Sequence, residues 1–481
     1  MSTFERGWKT GLRGSLLMSV VLVFASWVVG PAPALRSFSW TQTTQADFMA
    51  GTRTNVDVRN LDALGTPLGY DTDIGGSVRL ASMPGTWTKY AGNPILEPGS
   101  PGSWEEGLVV HSMVIYDDNS YKMWYVGSSD NGGSARIGYA VSSDGIHWDK
   151  YAHNPVLEPG VSGAWDNGIV IWPDVIYDGN IYKMWYTAVK AGIFRLGYAI
   201  SSDGIHWIKY VDNPILDLGP PGSWDAKGVG DSSVIYDGSK YEMWYVGSDG
   251  SNNMRIGYAI SPDGIHWTKY SNNPVLDLGA PGSWDSEMLL HHKVIFDGVI
   301  YKIWYVGNDG TNWRIGFATS TDGIHWTKYQ GNPVLIGTLE SWDGANVAWP
   351  NVIFDGNIYK MWYQGNNSAG WCTGYAGAPS IYEASGTLVS SIFDAGAPVS
   401  WQSISWTETK PANTNIIMAA RTGNTPVPDD TWTDWAVVTN GGVIPNPNSR
   451  YIQYKVALST SNTSVSPILH DVTITGRGWY E

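Results

Sequence analysis

Five related segments of this chain carry acidic, basic and aromatic residues at matching positions that could perform chemistry. Each segment starts at a tryptophan, and these are Trp104, Trp165, Trp224, Trp284 and Trp342. The residues seven positions after them are His111, Trp172, Asp231, His291 and Trp349. The residues nine positions after them are Met113, Asp174, Ser233, Lys293 and Asn351. Carboxylates and imidazoles in such a set could donate and accept protons, and the tryptophan rings could hold a ligand.

These two positions differ between copies, whereas the Val-Ile-Tyr/Phe-Asp run that follows them is repeated in every copy. Side chains of a strand alternate with a period of two, so positions seven and nine are predicted to share one face. We therefore predict a polar cup where the five segments meet, with ordinary solvation of strand ends as the alternative. Asp174 and Asp231 are the predicted catalytic carboxylates, and the unrepeated Glu106 and Glu287 are further candidates. The predicted ligand-binding residues are His111, Trp172, His291, His292, Lys293, Trp349 and Asn351.

Other polar residues have simpler interpretations. His291 and His292 are neighbours, so their side chains are predicted to point to opposite faces of a strand, and the pair alone does not predict a metal site. No cofactor is predicted. The acid that follows each anchor tryptophan is predicted to hydrogen-bond local backbone at a turn. These acids are Glu105, Asp166, Asp225, Asp285 and Asp343.

The elements that position these residues follow from the repeat. The anchor tryptophans are spaced by 61, 59, 60 and 58 residues, which is typical of a propeller or another repeat array. A typical copy contains two strands joined by an Asp-Gly turn, a Gly-Tyr-Ala strand and a short strand after Asp-Gly-Ile-His-Trp. The fifth copy lacks the last strand, and Trp87–Tyr90 upstream of the first copy matches it. The sequence therefore predicts an all-β, five-bladed propeller closed by an N-terminal strand.

The rest of the chain divides into three predicted segments. Residues 1–36 resemble an export signal, because basic residues precede a short apolar run, and an uncleaved anchor is the alternative. Residues 37–82 are predicted to be a β segment, and one interpretation is that they pack with the C-terminal region. The propeller is predicted over 83–379. Residues 380–481 lack the repeat and are predicted to form a β-sandwich module.

Composition narrows the function further. The net charge of −15 argues against nucleic acid or an anionic membrane surface as a partner. A single cysteine, Cys372, excludes an internal disulfide. With the export signal, these features favour a secreted or cell-surface protein, which we expect to be a monomer.

One stretch resembles known enzymes. Trp172-Pro173-Asp174-Val175, the Asp178-Gly179 turn and Tyr182-Lys183-Met184-Trp185-Tyr186 are similar to motifs of glycoside hydrolase families 43, 32 and 130. The resemblance implies that Asp174 tunes the pKa of the catalytic acid and orients the sugar. The general acid of family 43 aligns with Asp231, and its general base aligns with His111, so this chain departs from the family pattern at both places.

The resemblance implies a secreted protein that acts on glycosidic bonds of oligo- or polysaccharides through paired carboxylates. Two alternatives stay open at this point. A propeller with the family's base position changed to His111 could bind carbohydrate without catalysis. Alternatively, Lys293, His291 and His292 could hold phosphate, as a glycoside phosphorylase of family 130 requires.

Overall fold

The computed structural model describes residues 35–54, 56–60, 76–130, 132–251, 253–297, 300–367, 370–445 and 448–479. The predicted export signal lies outside these residues except for its last two positions. In the described ranges, no helix is long and apolar enough to cross a membrane. One short helix, α1 (Gln45–Met49), begins at Thr44, whose hydroxyl accepts a hydrogen bond from the backbone N–H of Asp47. Nearly everything else is β structure, so the predicted all-β, propeller-type fold is confirmed.

Six short strands precede the repeats. They are β1 (Leu35–Gln42), β2 (Thr52–Thr54), β3 (Val56–Asn60), β4 (Gly76–Leu80), β5 (Ser82–Pro84) and β6 (Thr88–Lys89). The first four pair with strands near the C-terminus or with each other, and β5 and β6 both pair with the last strand of the repeats.

The repeats fold into five units of four antiparallel strands. In units 1 and 2 the strands are β7 (Leu108–Asp117), β8 (Ser120–Ser128), β9 (Arg136–Ser142), β10 (Asp149–Lys150), β11 (Ile169–Tyr177), β12 (Tyr182–Lys190), β13 (Ile193–Ser201) and β14 (Ile208–Lys209). In units 3 and 4 they are β15 (Gly228–Tyr236), β16 (Tyr241–Ser248), β17 (Arg255–Ser261), β18 (Thr268–Lys269), β19 (Met288–Phe296), β20 (Tyr301–Asn308), β21 (Trp313–Ser320) and β22 (Thr327–Lys328). Unit 5 consists of β23 (Asn346–Phe354), β24 (Ile358–Asn367), β25 (Gly370–Tyr382) and β6.

The first strands of the units form a closed ring. β7, β11, β15, β19 and β23 each contact the next, and β23 contacts β7. Between units, a buried tryptophan of each second strand packs beside the corner of the next unit. The indole of Trp124, for example, donates a hydrogen bond of 2.8 Å to the carbonyl oxygen of Gly204. Trp304 faces the N-terminal strand instead, packing edge-on against Trp87 with ring centroids 6.2 Å apart.

The N-terminal strand closes the ring as predicted from the repeat. Lys89 pairs with Ala376 of β25, and its ammonium lies 2.5 Å from Asp343, whose side chain is fully buried. The same lysine–acid pair occurs within each of the other four units. These pairs are Lys150–Glu105, Lys209–Asp166, Lys269–Asp225 and Lys328–Asp285. The acids after the anchor tryptophans thus hold the outer strand of each unit across more than 40 residues of sequence, a role that the local-turn interpretation did not include.

The C-terminal strands belong to one connected 11-stranded sheet. They are β26 (Ser385–Val389), β27 (Phe393–Thr409), β28 (Thr414–Gly423), β29 (Ala436–Val438), β30 (Gly442–Val443), β31 (Ser449–Thr460) and β32 (Ile468–Trp479). Within this sheet, β27 pairs with both β31 and β32. β1 pairs along β32, and β2 pairs with β26. Val58 and Leu80 share a buried core with Ile404 and Ile474. β25 runs through the predicted boundary at residue 379 without a break, because its last residues pair with β5.

Candidate functional site

Every first strand is distorted at the position seven residues after the anchor tryptophan. The pairing register shifts there in all five units, which marks a β-bulge with one extra residue. The residue at the bulge is left-handed in each case: His111 (φ 52°), Trp172 (52°), Asp231 (50°), His291 (44°) and Trp349 (47°). Strict alternation, on which we predicted a shared face for positions seven and nine, therefore fails at this point.

This conformation is unfavourable for residues with a side chain. A left-handed residue other than glycine costs about 1–2 kcal/mol, and large side chains such as tryptophan rarely adopt it. Backbone strain of this kind clusters at ligand and catalytic sites. Here it recurs five times around one axis, at a position that holds histidine, tryptophan or aspartate in different units.

Three seventh-position side chains meet near the axis. Nδ1 of His291 lies 2.7 Å from Oδ2 of Asp231, and both side chains are only 2% exposed. The same oxygen accepts the backbone N–H of His291 at 2.6 Å. Nε2 of His111 donates to the carbonyl oxygen of Pro173 at 3.2 Å. One possible ligand atom from each of His111, Asp231 and His291 lies within 4.8 Å of the other two.

The electrostatics of this cluster follow from burial and from the mutual contacts. Burial lowers the pKa of the His111 imidazole to about 4, and the charge of Asp231 opposes that shift. Burial alone would raise the pKa of Asp231, but His291, His111 and His292 outweigh it and lower that pKa to about 2. Asp231 is therefore ionised at neutral pH while His111 is uncharged.

The second predicted carboxylate, Asp174, lies in a buried ion pair. Its Oδ1 accepts the ammonium of Lys293 at 2.7 Å, and its Oδ2 accepts the backbone N–H of Val234 at 2.7 Å. Burial raises the pKa of Asp174, and Lys293 only partly offsets this effect. Asp174 and Asp231 thus have pKa values shifted in opposite directions, which is the pattern that two-carboxylate chemistry uses.

Ninth-position side chains also join neighbouring units. Ser233 accepts the backbone N–H of Val294 at 3.0 Å, and Asn351 accepts that of Val114 at 3.1 Å, as Asp174 does from Val234. The Asn351 amide contacts the sulfur of Met113 at 3.0 Å. These residues therefore bind adjacent first strands together around the axis, in addition to any role toward a ligand.

A pocket of about 510 Å³ lies beside this cluster, between units 5, 1 and 2. Its walls include Trp172, Trp349 and Trp371, and its polar groups include Asn366 and Asn367. Its remaining lining is mostly aliphatic, from Leu108, Val110, Val126, Ile169 and Ile171. Pockets of this size and character hold small organic ligands.

His291 connects the pocket walls to the buried carboxylate. Its ring centroid lies 5.1 Å from that of Trp172 and 4.4 Å from that of Trp349. Asp231 contacts the same imidazole through Oδ2. The histidine–aspartate pair is buried, so it lies behind the two tryptophans of the pocket wall and is not part of the pocket lining.

The remaining predicted residues are distributed differently. His292 is buried next to His291, and burial lowers its pKa to about 4. Glu106 and Glu287 are both exposed in the turns before β7 and β19. Glu106 accepts the backbone N–H of Gly102, which is a turn-stabilising contact. Neither glutamate belongs to the pocket lining.

Sequence reasoning missed Trp371. It lies three residues before the glycine of its Gly-Tyr-Ala strand, and the matching residues in the other units are Ala135, Phe194, Met254 and Trp313. This position varies as much as the seventh position does. Ala135 also lines the pocket, and Phe194 stacks on Trp172 with ring centroids 5.5 Å apart. The same comparison between repeats would therefore have found this second ring of residues.

Comparisons with known proteins agree with the fold. No protein-family model matches the chain. An uncharacterized protein of Mycobacterium tuberculosis is 27% identical over 223 residues, which are 44% of this chain and 72% of that protein. A 1,2-beta-oligomannan phosphorylase of Thermoanaerobacter sp. is 25% identical over 216 residues, which are 42% of this chain and 66% of the phosphorylase.

Solved structures match over a longer stretch. A glycosyl hydrolase from Bacteroides ovatus superposes with a TM-score of 0.51 at 19% identity, covering 61% of this chain and 94% of the other. A structure from the GH130 family of mannoside phosphorylases, which contains glycoside hydrolases that target beta-1,2 mannosidic linkages in Candida mannan, gives the same TM-score, identity and coverage. The chain therefore shares its all-β, propeller-type fold with solved glycoside hydrolase structures.

Proposed function

We propose that this protein is a secreted, monomeric, glycoside-active protein that binds a saccharide against Trp172, Trp349 and Trp371 and hydrolyses a glycosidic bond beside Asp231. The observation that carries the proposal is that His291 contacts both Trp172 and Trp349 of the pocket wall and also Asp231. One imidazole thus connects an aromatic pocket wall to a buried carboxylate.

The pocket has the properties that a sugar requires. The C–H faces of a pyranose ring stack on tryptophan, and its hydroxyl groups need polar partners such as the amides of Asn366 and Asn367. A 1,2-beta-oligomannan phosphorylase and a beta-1,2-mannobiose phosphorylase are among the relatives, and one fold neighbour belongs to the GH130 family of mannoside phosphorylases, so β-mannosides are the first substrates to test. The five-unit ring and the C-terminal sheet supply the scaffold in this proposal.

Hydrolysis of a glycoside needs a proton donor and a second carboxylate that activates water or attacks the sugar. Asp231 contacts His291 and is the proposed second carboxylate. Asp174 is the proposed positioning residue for this site, because its two oxygens bind Lys293 and the backbone of Val234. The proton donor in this proposal is one of the solvent-exposed glutamates, Glu106 or Glu287.

Phosphorolysis is the second candidate. Two imidazoles, His111 and His291, and the ammonium of Lys293 occur around the same axis, and such groups bind phosphate. The 1,2-beta-oligomannan phosphorylase is 25% identical over 42% of this chain. The two candidates differ in one reagent, so a single assay separates them.

The test is turnover of a panel of manno-oligosaccharides and aryl glycosides with and without inorganic phosphate. Wild type is compared with Asp231→Asn, Glu106→Gln and Glu287→Gln, and with Asp149→Asn as a control in the exposed outer strand of unit 1. We expect Asp231→Asn to lose about 100-fold or more of the rate, and Asp149→Asn to lose none.

The outcomes are distinct. A sugar phosphate formed only when phosphate is present establishes phosphorolysis. Saccharide binding without turnover, weakened by Trp172→Ala, shows a binding protein instead. If no saccharide of the panel is either turned over or bound, the proposed function is refuted.

A further inference from the structure

The axial cluster has the composition of a metal site. His111, Asp231 and His291 each present one possible ligand atom within 4.8 Å of the other two. All three occupy the bulge position of their strands, in units 1, 3 and 4, so three separate left-handed residues direct their side chains to one point. Backbone strain in three units thus brings two imidazoles and a carboxylate together. Strain of this kind clusters at functional sites.

Hydrogen bonding leaves the imidazoles of this cluster with free nitrogens. Nε2 of His111 donates its proton to the carbonyl oxygen of Pro173, so the neutral ring carries its lone pair on Nδ1. That Nδ1 is buried and has no hydrogen-bond partner among the described residues. A histidine that ligates a metal nearly always donates its other ring N–H to a carbonyl or carboxylate in this way.

His291 shows the same feature more strongly. Its side chain is 2% exposed, and its Nδ1 makes no hydrogen bond within the described part of the chain. Oδ2 of Asp231 lies 2.7 Å from this nitrogen and forms an ion pair with the ring when the imidazole is protonated. Two ligands of one metal ion stand about 3 Å apart when each is about 2.1 Å from the ion and the angle between them is near 90°. The spacing of the two atoms fits shared coordination.

We infer that His111, His291 and Asp231 bind one divalent transition-metal ion at the axis of the ring. Two imidazole nitrogens and one carboxylate favour Zn²⁺, Fe²⁺, Mn²⁺ or Co²⁺ over Ca²⁺ and Mg²⁺, which prefer oxygen ligands. Three protein ligands leave further positions of the ion open.

The charges around the cluster are compatible with a cation. Lys293 is the nearest ammonium, and its charge is paired with Asp174 at 2.7 Å. Asp231 contributes a negative charge to the proposed ligand set. The remaining axial partners, Met113 and Asn351, are uncharged.

The experiment uses the full chain, freed of metal with a chelator and then dialysed against Zn²⁺ or Co²⁺, with bound metal counted by mass spectrometry. We expect about one equivalent per chain, and affinity reduced about 100-fold or more in His111→Gln, His291→Gln and Asp231→Asn. The matched control is His325→Gln, because His325 lies 2.7 Å from Asp322 in the same chemical pair but on the surface. This variant should bind metal as wild type does.

A measurement on wild type alone covers the case in which a buried variant does not fold. Pulsed electron paramagnetic resonance of the Cu²⁺-loaded protein counts the coordinated imidazoles, and we expect two. No bound metal after dialysis, no coordinated imidazole, or binding lost in His325→Gln but kept in the axial variants would each overturn the inference. Metal binding is measured without saccharide, so it can fail while the proposed glycoside activity stands, and the reverse.

Discussion

The buried pair of Asp174 and Lys293 gives a sharp test of how the axis is held. Asp174→Asn leaves the Lys293 ammonium without its carboxylate in a site where that side chain is 12% exposed and the aspartate 3%. Removing one partner of a buried ion pair costs about 3–5 kcal/mol of unfolding free energy, because the remaining charge stays desolvated. Asparagine can still accept the backbone N–H of Val234, so the loss reports on the charge rather than on that hydrogen bond.

A double-mutant cycle isolates the pair. Lys293→Met removes the ammonium, and the double variant Asp174→Asn with Lys293→Met removes both charges. We expect the double variant to be less destabilised than the sum of the single variants, by about 2 kcal/mol, since contacting charged residues couple by that order. The assay is urea unfolding followed by tryptophan fluorescence, with Asp149→Asn as the exposed control.

The same cycle has a pH dependence with a definite sign. Burial already raises the pKa of Asp174 above its unfolded value, and loss of Lys293 raises it further. A group with a raised pKa in the folded state stabilises the protein at low pH and loses this contribution as the pH rises through that pKa. The loss of unfolding free energy caused by Lys293→Met should therefore become smaller as the pH falls from 7 to 5. The loss caused by Asp174→Asn should not become smaller. This account of the pair would be refuted if the free-energy losses of the two single variants simply added in the double variant. It would also be refuted if the loss caused by Lys293→Met grew as the pH fell.

Three further predictions concern the ring and the pocket. Lys89→Met should destabilise the protein by about 3 kcal/mol because it leaves Asp343 buried and unpaired, and Lys150→Met, which breaks the equivalent pair inside unit 1, should cost a similar amount at equilibrium. Only Lys89→Met should accelerate proteolysis at the N-terminal strand, as measured by limited digestion. Trp371→Ala should weaken saccharide binding about 10-fold in calorimetric titration while leaving the melting temperature nearly unchanged, because this residue is part of the pocket wall. Asn213→Ala should lower the unfolding free energy by about 2 kcal/mol in urea, since its amide bonds both backbone groups of one residue in β13.

These predictions have clear counter-results. Equal proteolysis of the two lysine variants would show that the N-terminal strand is held by its neighbours rather than by the ion pair. Unchanged saccharide affinity in Trp371→Ala would remove unit 5 from the binding surface. A stable Asn213→Ala variant would show that water replaces the asparagine at that corner.

The fold was largely readable from the sequence because each unit repeats the same local rules. Strand lengths, Asp-Gly turns and the displaced fourth strand at Trp87 follow from spacing, and β6 pairs where the repeat requires it. The lysine–acid pairs were not predicted, although both partners were visible in every copy. Their separation of more than 40 residues along the chain gives no local signal.

The sequence predicted which residues belong to the site, but it predicted their arrangement less well. Comparison between copies selected His111, Asp231 and His291, which do converge near the axis. The bulge was not predicted because the left-handed position carries histidine, aspartate and tryptophan rather than glycine, which usually marks such a conformation. Without the bulge, alternation places the wrong neighbours on one face. Only the folded backbone shows which side chains meet.

The N-terminal strands pair only with segments that are synthesised much later. β6 needs Ala376 as its partner, and β1 needs β32. Until those segments are made, the early strands would leave unpaired edges, and such edges invite aggregation and proteolysis. These two pairings therefore couple the folding of the first described strands to the synthesis of the last ones.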